Sequence, residues 1–525
     1  MIPDVGYLTA ARRSRELHEL ASENLDVLVV GGGITGVGVA LDAASRGLRV
    51  ALVERQDLAF GTSRWSSKLV HGGLRYLASG DVGIAYESAR ERAALMHTIA
   101  PHLARPLPFL VPYDGSTRLR DRFLVSAGTH AAEVIRIAAR THPGTLPGVR
   151  RVSAAEAHSW APAVRADVNG GMLFWDGQLE DDARLVVAVA RTAAAHGARI
   201  LTRISALRVT GDSARLRDEL TGHELDVSAR VVVNATGVWA SELAGHHEDG
   251  SSVAPLRPSK GTHIVFRSST FGEPKAAAML AVPGEKKFVF AVPHPDGLVI
   301  AGLTDDPVER IDDVPHASQS EIDYLLGALS HWLAKPLTTD DVVGSYAGLR
   351  PLVAASQDDA AKRTADLSRR HLVARSTNGV VTIVGGKLTT YRRMAEDTVN
   401  ALGLPGRPCV TRSLPLLGAG SRTELAALNA PARLVRRYGT EAPAVAALIA
   451  DDPELGNPLA PSVRVLGAEV VWALRAEGAL SIDDILERRT RLSLVPEDAQ
   501  AARGSVERLV ERYGSRAGLT PAAAS

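Results

Sequence analysis

Residues 26–54, DVLVVGGGITGVGVALDAASRGLRVALVE, restrict the fold more than any other part of this chain. Residues 27–30 form a short apolar, valine-rich run of the kind buried in a parallel sheet, and the run breaks at once into Gly31, Gly32 and Gly33. In the spacing G-x-G-x-x-G, Gly31 permits a tight turn, Gly33 lets backbone N–H groups approach a pyrophosphate, and Gly36 lets the new helix pack close to the strand. The helix N-terminus turns its partial positive charge toward those phosphates. A second strand, 48–53, ends in Glu54, where an acid accepts hydrogen bonds from an adenosine ribose. Strand, glycine turn, helix, strand and acid in register predict a dinucleotide site. The motif alone does not choose between FAD and NAD.

Composition narrows the rest. At 525 residues the chain exceeds one hydrophobic core, and with 45% apolar residues it can build two or three domains. Sixty Lys and Arg against 59 Asp and Glu leave no field for a dedicated nucleic-acid binder. A single cysteine, Cys409, excludes an internal disulfide and a four-cysteine metal site, so no metal centre is expected and a reducing cytoplasm fits. The longest uncharged stretch near the start, 27–41, is too short to span a bilayer, and the charged ARRSRELHEL segment does not resemble a signal peptide.

Along the chain, residues 7–23 have helical composition and are expected to dock on their own domain rather than lie in a membrane interface. The mixed stretch 61–77, GTSRWSSKLVHGGLRYL, suits a loop lining a site. Residues 82–99 are predicted helical and 101–112 are punctuated by proline. Residues 116–170 read as basic and helical, ending in a turn at Asn169-Gly170-Gly171. A helix over 181–196, with acids in its first turn, leads to a strand at 198–201. A third strand, 230–234, runs into Ala235-Thr236-Gly237, and a fourth, 380–384, runs into Gly385-Gly386-Lys387, so the nucleotide domain is resumed twice after insertions. Alternating residues over 260–305 predict a mostly antiparallel sheet, and the chain beyond Pro415 reads as a separate helical domain.

In family order, the segments GGGITG (31–36), TSRWSSKLVHGGLRYL (62–77), DDARL (181–185), NATGVW (234–239), KGTHIV (260–265), GLRPL (348–352), GGKLTTYR (385–392) and ILERRTRL (485–492) resemble the FAD-dependent glycerol-3-phosphate dehydrogenases and their oxidase relatives. The resemblance implies an α/β protein: a doubly wound, glutathione-reductase/D-amino-acid-oxidase-like FAD domain, an antiparallel-sheet substrate domain and a C-terminal α-helical domain. The expected division is an N-terminal helical extension (1–23), an FAD domain (24–95, 175–245 and 340–405), a substrate domain (96–174 and 246–339) and a helical domain (415–525). It also implies oxidation of sn-glycerol 3-phosphate to dihydroxyacetone phosphate with FAD as hydride acceptor, the electrons then passing to a membrane quinone. The alternative within the same family is an oxidase that reduces oxygen to peroxide. A quinone acceptor implies a cytoplasmic protein held peripherally at the inner face of the plasma membrane, compatible with a homo-oligomer. One departure is Leu303, where the family commonly has a second threonine; Thr304 and Asp305 remain.

The resemblance assigns candidate roles. A phosphate dianion calls for fixed cations, best supplied by the planar fork of arginine, and Arg75, Arg350 and Arg369 are the matched candidates, with Tyr76 as a neutral donor. Most arginines are solvated surface residues. Arg75 and Arg350 sit in apolar, glycine-bearing contexts, whereas Arg369 lies in the charged LSRRH. The alcohol proton needs an acceptor near the flavin, and His71, His263 and Lys387 are the matched groups. Lys387 fits better as an electrostatic partner of the flavin, leaving the base open between the histidines. FAD contacts are expected from Gly31, Gly33, Gly36, Glu54, Ser63, Ser67, Lys68, Thr236, Gly237, Gly386, Lys387 and Leu388. The arginine-rich stretches 118–122 and 136–151, interleaved with Phe123, Leu124 and Ile137, are the candidates for the membrane surface, with a solvated helix face as the competing reading.

Overall fold

The computed structural model describes residues 5–73, 81–245, 256–285, 287–302, 304–353 and 370–514. The valine-rich strand Leu25–Val30 lies centrally in an eight-stranded sheet. It pairs in parallel with Val50–Glu54 on one side and Glu224–Asn234 on the other. Arg199–Thr202 extends the sheet beyond Val50–Glu54, and Val381–Gly385 extends it beyond Glu224–Asn234, both in parallel. The chain thus leaves the sheet twice and returns, as the broken pattern of apolar strands predicts.

Helix Ile34–Ser45 is almost wholly buried between this sheet and helices Asp182–Ala195 and Tyr391–Ala401. Small residues allow that approach: a Cβ at Gly38 would come within 3.0 Å of the Tyr391 ring. The N-terminal helix Ala10–Leu20 docks on the same lobe. Arg13 donates to Thr202 O at 2.7 Å and pairs with Asp218, and Leu20 is fully buried.

The second sheet has ten strands, mostly antiparallel. Ser259–Arg267, Leu298–Gly302, Phe288–His294 and Ala277–Ala281 follow one another across it. Ala277–Ala281 then meets Ala104–Tyr113 in parallel, Gly170–Leu179 follows, and Leu69–Val70 lies beyond it at the end of that order. One face packs a core of Leu110, Ile264, Phe266 and Leu280 against helix Gln319–Ser330. The C-terminal helices, from Ala432–Tyr438 to Pro496–Gly514, enclose their own core around Val445, Val471 and Val506.

Three expectations are corrected here. Residues 116–170 are not continuously helical: helices Leu119–Ala138 and Ala154–Trp160 are separated by strand Arg150–Ser153. Gly170-Gly171 opens a strand instead of ending in a turn, because side chains there would strike neighbouring strands; a Cβ at Gly171 would lie 2.4 Å from Val111 O. The domain limits also shift. The break expected at 174/175 falls inside strand Gly170–Leu179, and Gly344–Arg350, assigned to the nucleotide lobe, pairs along Ser259–Arg267 in the second sheet.

Candidate functional site

The two sheets face a cavity of about 2610 Å³, and thirteen of the predicted residues line it: Gly31, Gly33, Glu54, Ser63, Ser67, His71, Thr236, Gly237, His263, Arg350, Gly386, Lys387 and Leu388. Four turns leaving the parallel strands supply most of them.

At the first turn Gly31 has φ +115°, and a Cβ there would lie 2.6 Å from Ala235 O. Gly33 caps helix Ile34–Ser45, whose first residues Ile34 and Thr35 reach the cavity. Gly36 does not line it. A Cβ at Gly36 would sit 1.9 Å from Gly31 O, so this glycine lets the helix meet the turn. The Ser63 hydroxyl accepts the Ile34 N–H at 2.9 Å. Glu54 ends its strand as expected, with its carboxylate accepting Gly32 N at 2.6 Å and Gln56 N at 2.7 Å. Burial raises its pKa against the opposing pull of those two amides.

At the third strand, buried Asn234 was missed by sequence reasoning. Its side-chain oxygen accepts Thr236 N at 3.2 Å and Thr236 Oγ1 at 2.7 Å, shaping the turn that presents Thr236 and Gly237. At the fourth, Gly386 has φ +73° and Lys387 Nζ donates to the buried Ser88 hydroxyl at 3.0 Å. A glycine-lined helix start, a strand-end acid and a lysine at the far turn together form an extended cradle that fits FAD.

The segment between Thr62 and Val70 joins the two sheets. Ser67 Oγ lies 2.9 Å from His263 Nε2, and the His263 ring stacks on Tyr346 at 4.7 Å. His263 Nδ1 is buried and makes no hydrogen bond among the described residues. Arg350, at the end of strand Gly344–Arg350, donates to Ser259 Oγ at 3.0 Å, Asp305 Oδ1 at 3.2 Å and Thr304 O at 3.0 Å.

Lys68 is placed differently from the expectation. Its Nζ ion-pairs with Asp182 at 3.0 Å in the buried interior, behind the cavity wall. Burial pushes its pKa down to about 8 against the attraction of Asp182. No local pattern marks such a pair, because Asp182 is the first residue of a helix distant in sequence. Arg75, Tyr76, Arg369 and Leu303 lie outside the described residues.

Burial, reinforced by Arg350 and Lys68, pushes the His263 imidazole down to about 3. Burial with Arg184 nearby does the same to His102. In the unfolded chain both rings titrate near the ordinary value of about 6.5. Between those values the unfolded chain binds more protons, so this stability is present above about pH 6.5 and is lost as pH falls toward about 3. Each ring should remove about 2 kcal/mol between about pH 6.5 and 5. Urea unfolding of the holoenzyme at the two pH values measures this, and equal midpoints would contradict it.

Helix Leu119–Ala138 forms one rim. Leu124, Val125, Gly128 and Ala131 line the cavity, while Leu119, Phe123, Val134 and Ile137 are exposed, Leu119 at 84% and Phe123 at 70%. Arg118, Arg120, Arg140 and Arg151 are exposed around it. Arg136 is corrected: it is buried, paired with Glu133 at 2.7 Å, and faces no surface. Among the described residues no helix is long and apolar enough to cross a membrane, and no cluster of metal-binding side chains occurs.

The model of the FAD dependent oxidoreductase family matches residues 26–392, and that of the C-terminal domain of alpha-glycerophosphate oxidase matches residues 409–523. Glycerol-3-phosphate dehydrogenase 1 of Mycobacterium tuberculosis is 51% identical over 511 residues, covering 95% of this chain and 98% of that protein. Glycerol-3-phosphate dehydrogenase of Synechocystis is 33% identical, covering 92% of each. Among solved structures, the glycerol-3-phosphate dehydrogenase of Bacillus halodurans, complexed with FAD, aligns with a TM-score of 0.74 at 27% identity over 97% of this chain and 94% of that one.

Proposed function

Because the chain belongs to the FAD dependent oxidoreductase family and, within it, to the glycerol-3-phosphate dehydrogenases, we propose that it oxidises sn-glycerol 3-phosphate to dihydroxyacetone phosphate and passes the electrons to a membrane quinone. The observation that carries the reading is the convergence of His263, Arg350, Lys387 and the glycine turn on one cavity.

FAD, when bound, supplies the hydride acceptor for the substrate's C2–H. The chain's residues supply the rest. Gly31, Gly33, Glu54, Ser63, Thr236 and Gly237 would hold the nucleotide end. Gly386 and Leu388 would hold the flavin end, where Lys387 would supply a positive charge. Arg350 binds the phosphate, joined in this reading by Arg75, Tyr76 and Arg369. As C2 becomes a carbonyl its hydroxyl proton needs an acceptor, and His263, which lines the cavity and meets the Ser67 hydroxyl through Nε2, is one candidate. His71, which also lines the cavity, is the other candidate.

The quinone reading is supported by the rim helix. A row of exposed apolar side chains amid arginines suits an anionic bilayer, with the apolar groups entering the interface and the guanidiniums meeting lipid phosphates. The same helix lines the cavity, so a lipid-borne acceptor would reach the site beneath it. This surface would hold the protein peripherally at the inner face of the plasma membrane.

Anaerobic glycerol 3-phosphate should bleach the yellow protein, whereas glycerol should do so only very poorly, because phosphate binding energy positions C2. The protein should bind anionic vesicles at low salt and leave them at about 0.5–1 M salt, where the screening length falls to a few Å. Phe123→Asp should abolish that binding without affecting flavin reduction. A soluble quinone analogue should reoxidise the flavin much faster than oxygen. Brisk turnover in air with stoichiometric peroxide and no vesicle binding would establish the oxidase instead. A dimer dissociated by Phe123→Asp would assign the helix to self-association.

A further inference from the structure

We propose that Asp182 is a positioning residue: through Ser66 and Lys68 it fixes Ser67, and through Ser67 the orientation of the His263 ring. The inference deepens the proposed function, since it rests on His263 facing the reacting alcohol.

Asp182 begins helix Asp182–Ala195 and is fully buried. Its Oδ2 accepts Ser66 N at 3.0 Å and Ser66 Oγ at 2.8 Å, and Lys68 Nζ donates to its two oxygens at 3.0 and 3.1 Å. Ser66 Oγ in turn accepts Lys68 N at 2.9 Å, and Lys68 has φ +55°, a conformation that side chains rarely adopt without support. Ser67 is therefore clamped at both neighbours by one carboxylate. Its hydroxyl is the group that meets His263 Nε2. The stacking partner of the ring is tied to the same segment, because Tyr346 OH donates to Ser66 O at 2.8 Å.

The C-terminal helices reach this hub. Arg491, at φ +65°, donates to Arg64 O at 2.6 Å, lies 3.8 Å from Asp182 Oδ1 and covers the Trp65 ring at 5.3 Å. Trp65 stacks on Tyr346 at 5.4 Å. A buried ion pair adds little net stability compared with well-packed apolar groups, so its contribution here is geometric: it holds one loop conformation. Tilting or sliding the ring shifts it from its place on the cavity lining, and so from the alcohol.

Asp182→Asn would leave Lys68 and Arg491 short of a buried countercharge and endanger folding, so Ser66→Ala is the variant of choice. It removes only the hydroxyl joining Asp182 to the Lys68 amide. Anaerobic stopped-flow reduction of the holoenzyme by glycerol 3-phosphate should give a limiting rate roughly tenfold or more below the parent, because a misplaced reacting group costs rate more than affinity. The substrate dissociation constant should stay within about twofold and FAD should remain bound, while Ser66→Thr, which keeps the hydroxyl, should recover most of the rate. A Ser66→Ala rate close to the parent, loss of FAD, or failure of Ser66→Thr would each overturn the positioning role. A parent enzyme that glycerol 3-phosphate does not reduce would overturn the assigned reaction and this inference together.

Discussion

Asp57→Ala should cost about 3–5 kcal/mol and release the C-terminal helices before the nucleotide-binding lobe unfolds. Asp57 is buried where the two parts meet, accepting Arg488 Nε at 2.7 Å and Arg489 Nη1 and Nη2 at 2.8 and 2.9 Å. Burial pushes its carboxyl up, but the two guanidiniums outweigh this and hold it well below the usual carboxylate range. Arg488 keeps a second partner, Asp484, at 2.6 Å. Arg489 retains the Glu477 carbonyl at 3.0 Å but no other carboxylate within ion-pair distance among the described residues. Truncating Asp57 therefore strands a buried cation, which costs far more than an intact pair contributes. The control is Asp483→Ala, which breaks an exposed pair with Arg503 and should cost less than about 1 kcal/mol. Urea unfolding gives the difference, and limited proteolysis shows which part opens first. Similar losses for the two variants would contradict the expectation.

What could be read from the sequence depended on how local each signal is. The glycine turn at Gly31 was legible because strand, turn and helix follow within a dozen residues, and the close approaches at Gly31 and Gly36 permit only glycine. The alternation over 260–305 likewise marked an antiparallel sheet. Gly170-Gly171 misled because glycine serves two purposes. The pair marks a close approach to Val111 and Val152, and only the neighbouring strands reveal which purpose applies. Gly344–Arg350 was assigned to the wrong sheet because its partner Ser259–Arg267 lies far away in sequence. Lys68 and Arg136 failed similarly: a cation's role depends on the carboxylate it meets, and Asp182 is distant in sequence while Glu133 is one helical turn away. Asn234 stood inside a recognised motif, yet its role was hidden until its side chain was seen shaping the Thr236 turn.

Arg350→Ala should lower kcat/KM for glycerol 3-phosphate by about thirtyfold to a thousandfold, equivalent to about 2–4 kcal/mol of phosphate interaction, while FAD stays bound. The guanidinium is half-buried and oriented by Ser259, Asp305 and the Thr304 carbonyl, so its fork is fixed before substrate arrives. Preorganisation of this kind spares the binding step the entropy of immobilising a long side chain. Lysine cannot reproduce the planar fork, and Arg350→Lys should recover only part of the loss. If Arg350 binds the phosphate, the damage must depend on that phosphate: the weak activity on glycerol should be nearly the same in parent and variant. Steady-state rates with an artificial acceptor on both substrates make the comparison. A variant equally impaired on both would move Arg350 from phosphate binding to structural support of the Gly344–Arg350 strand.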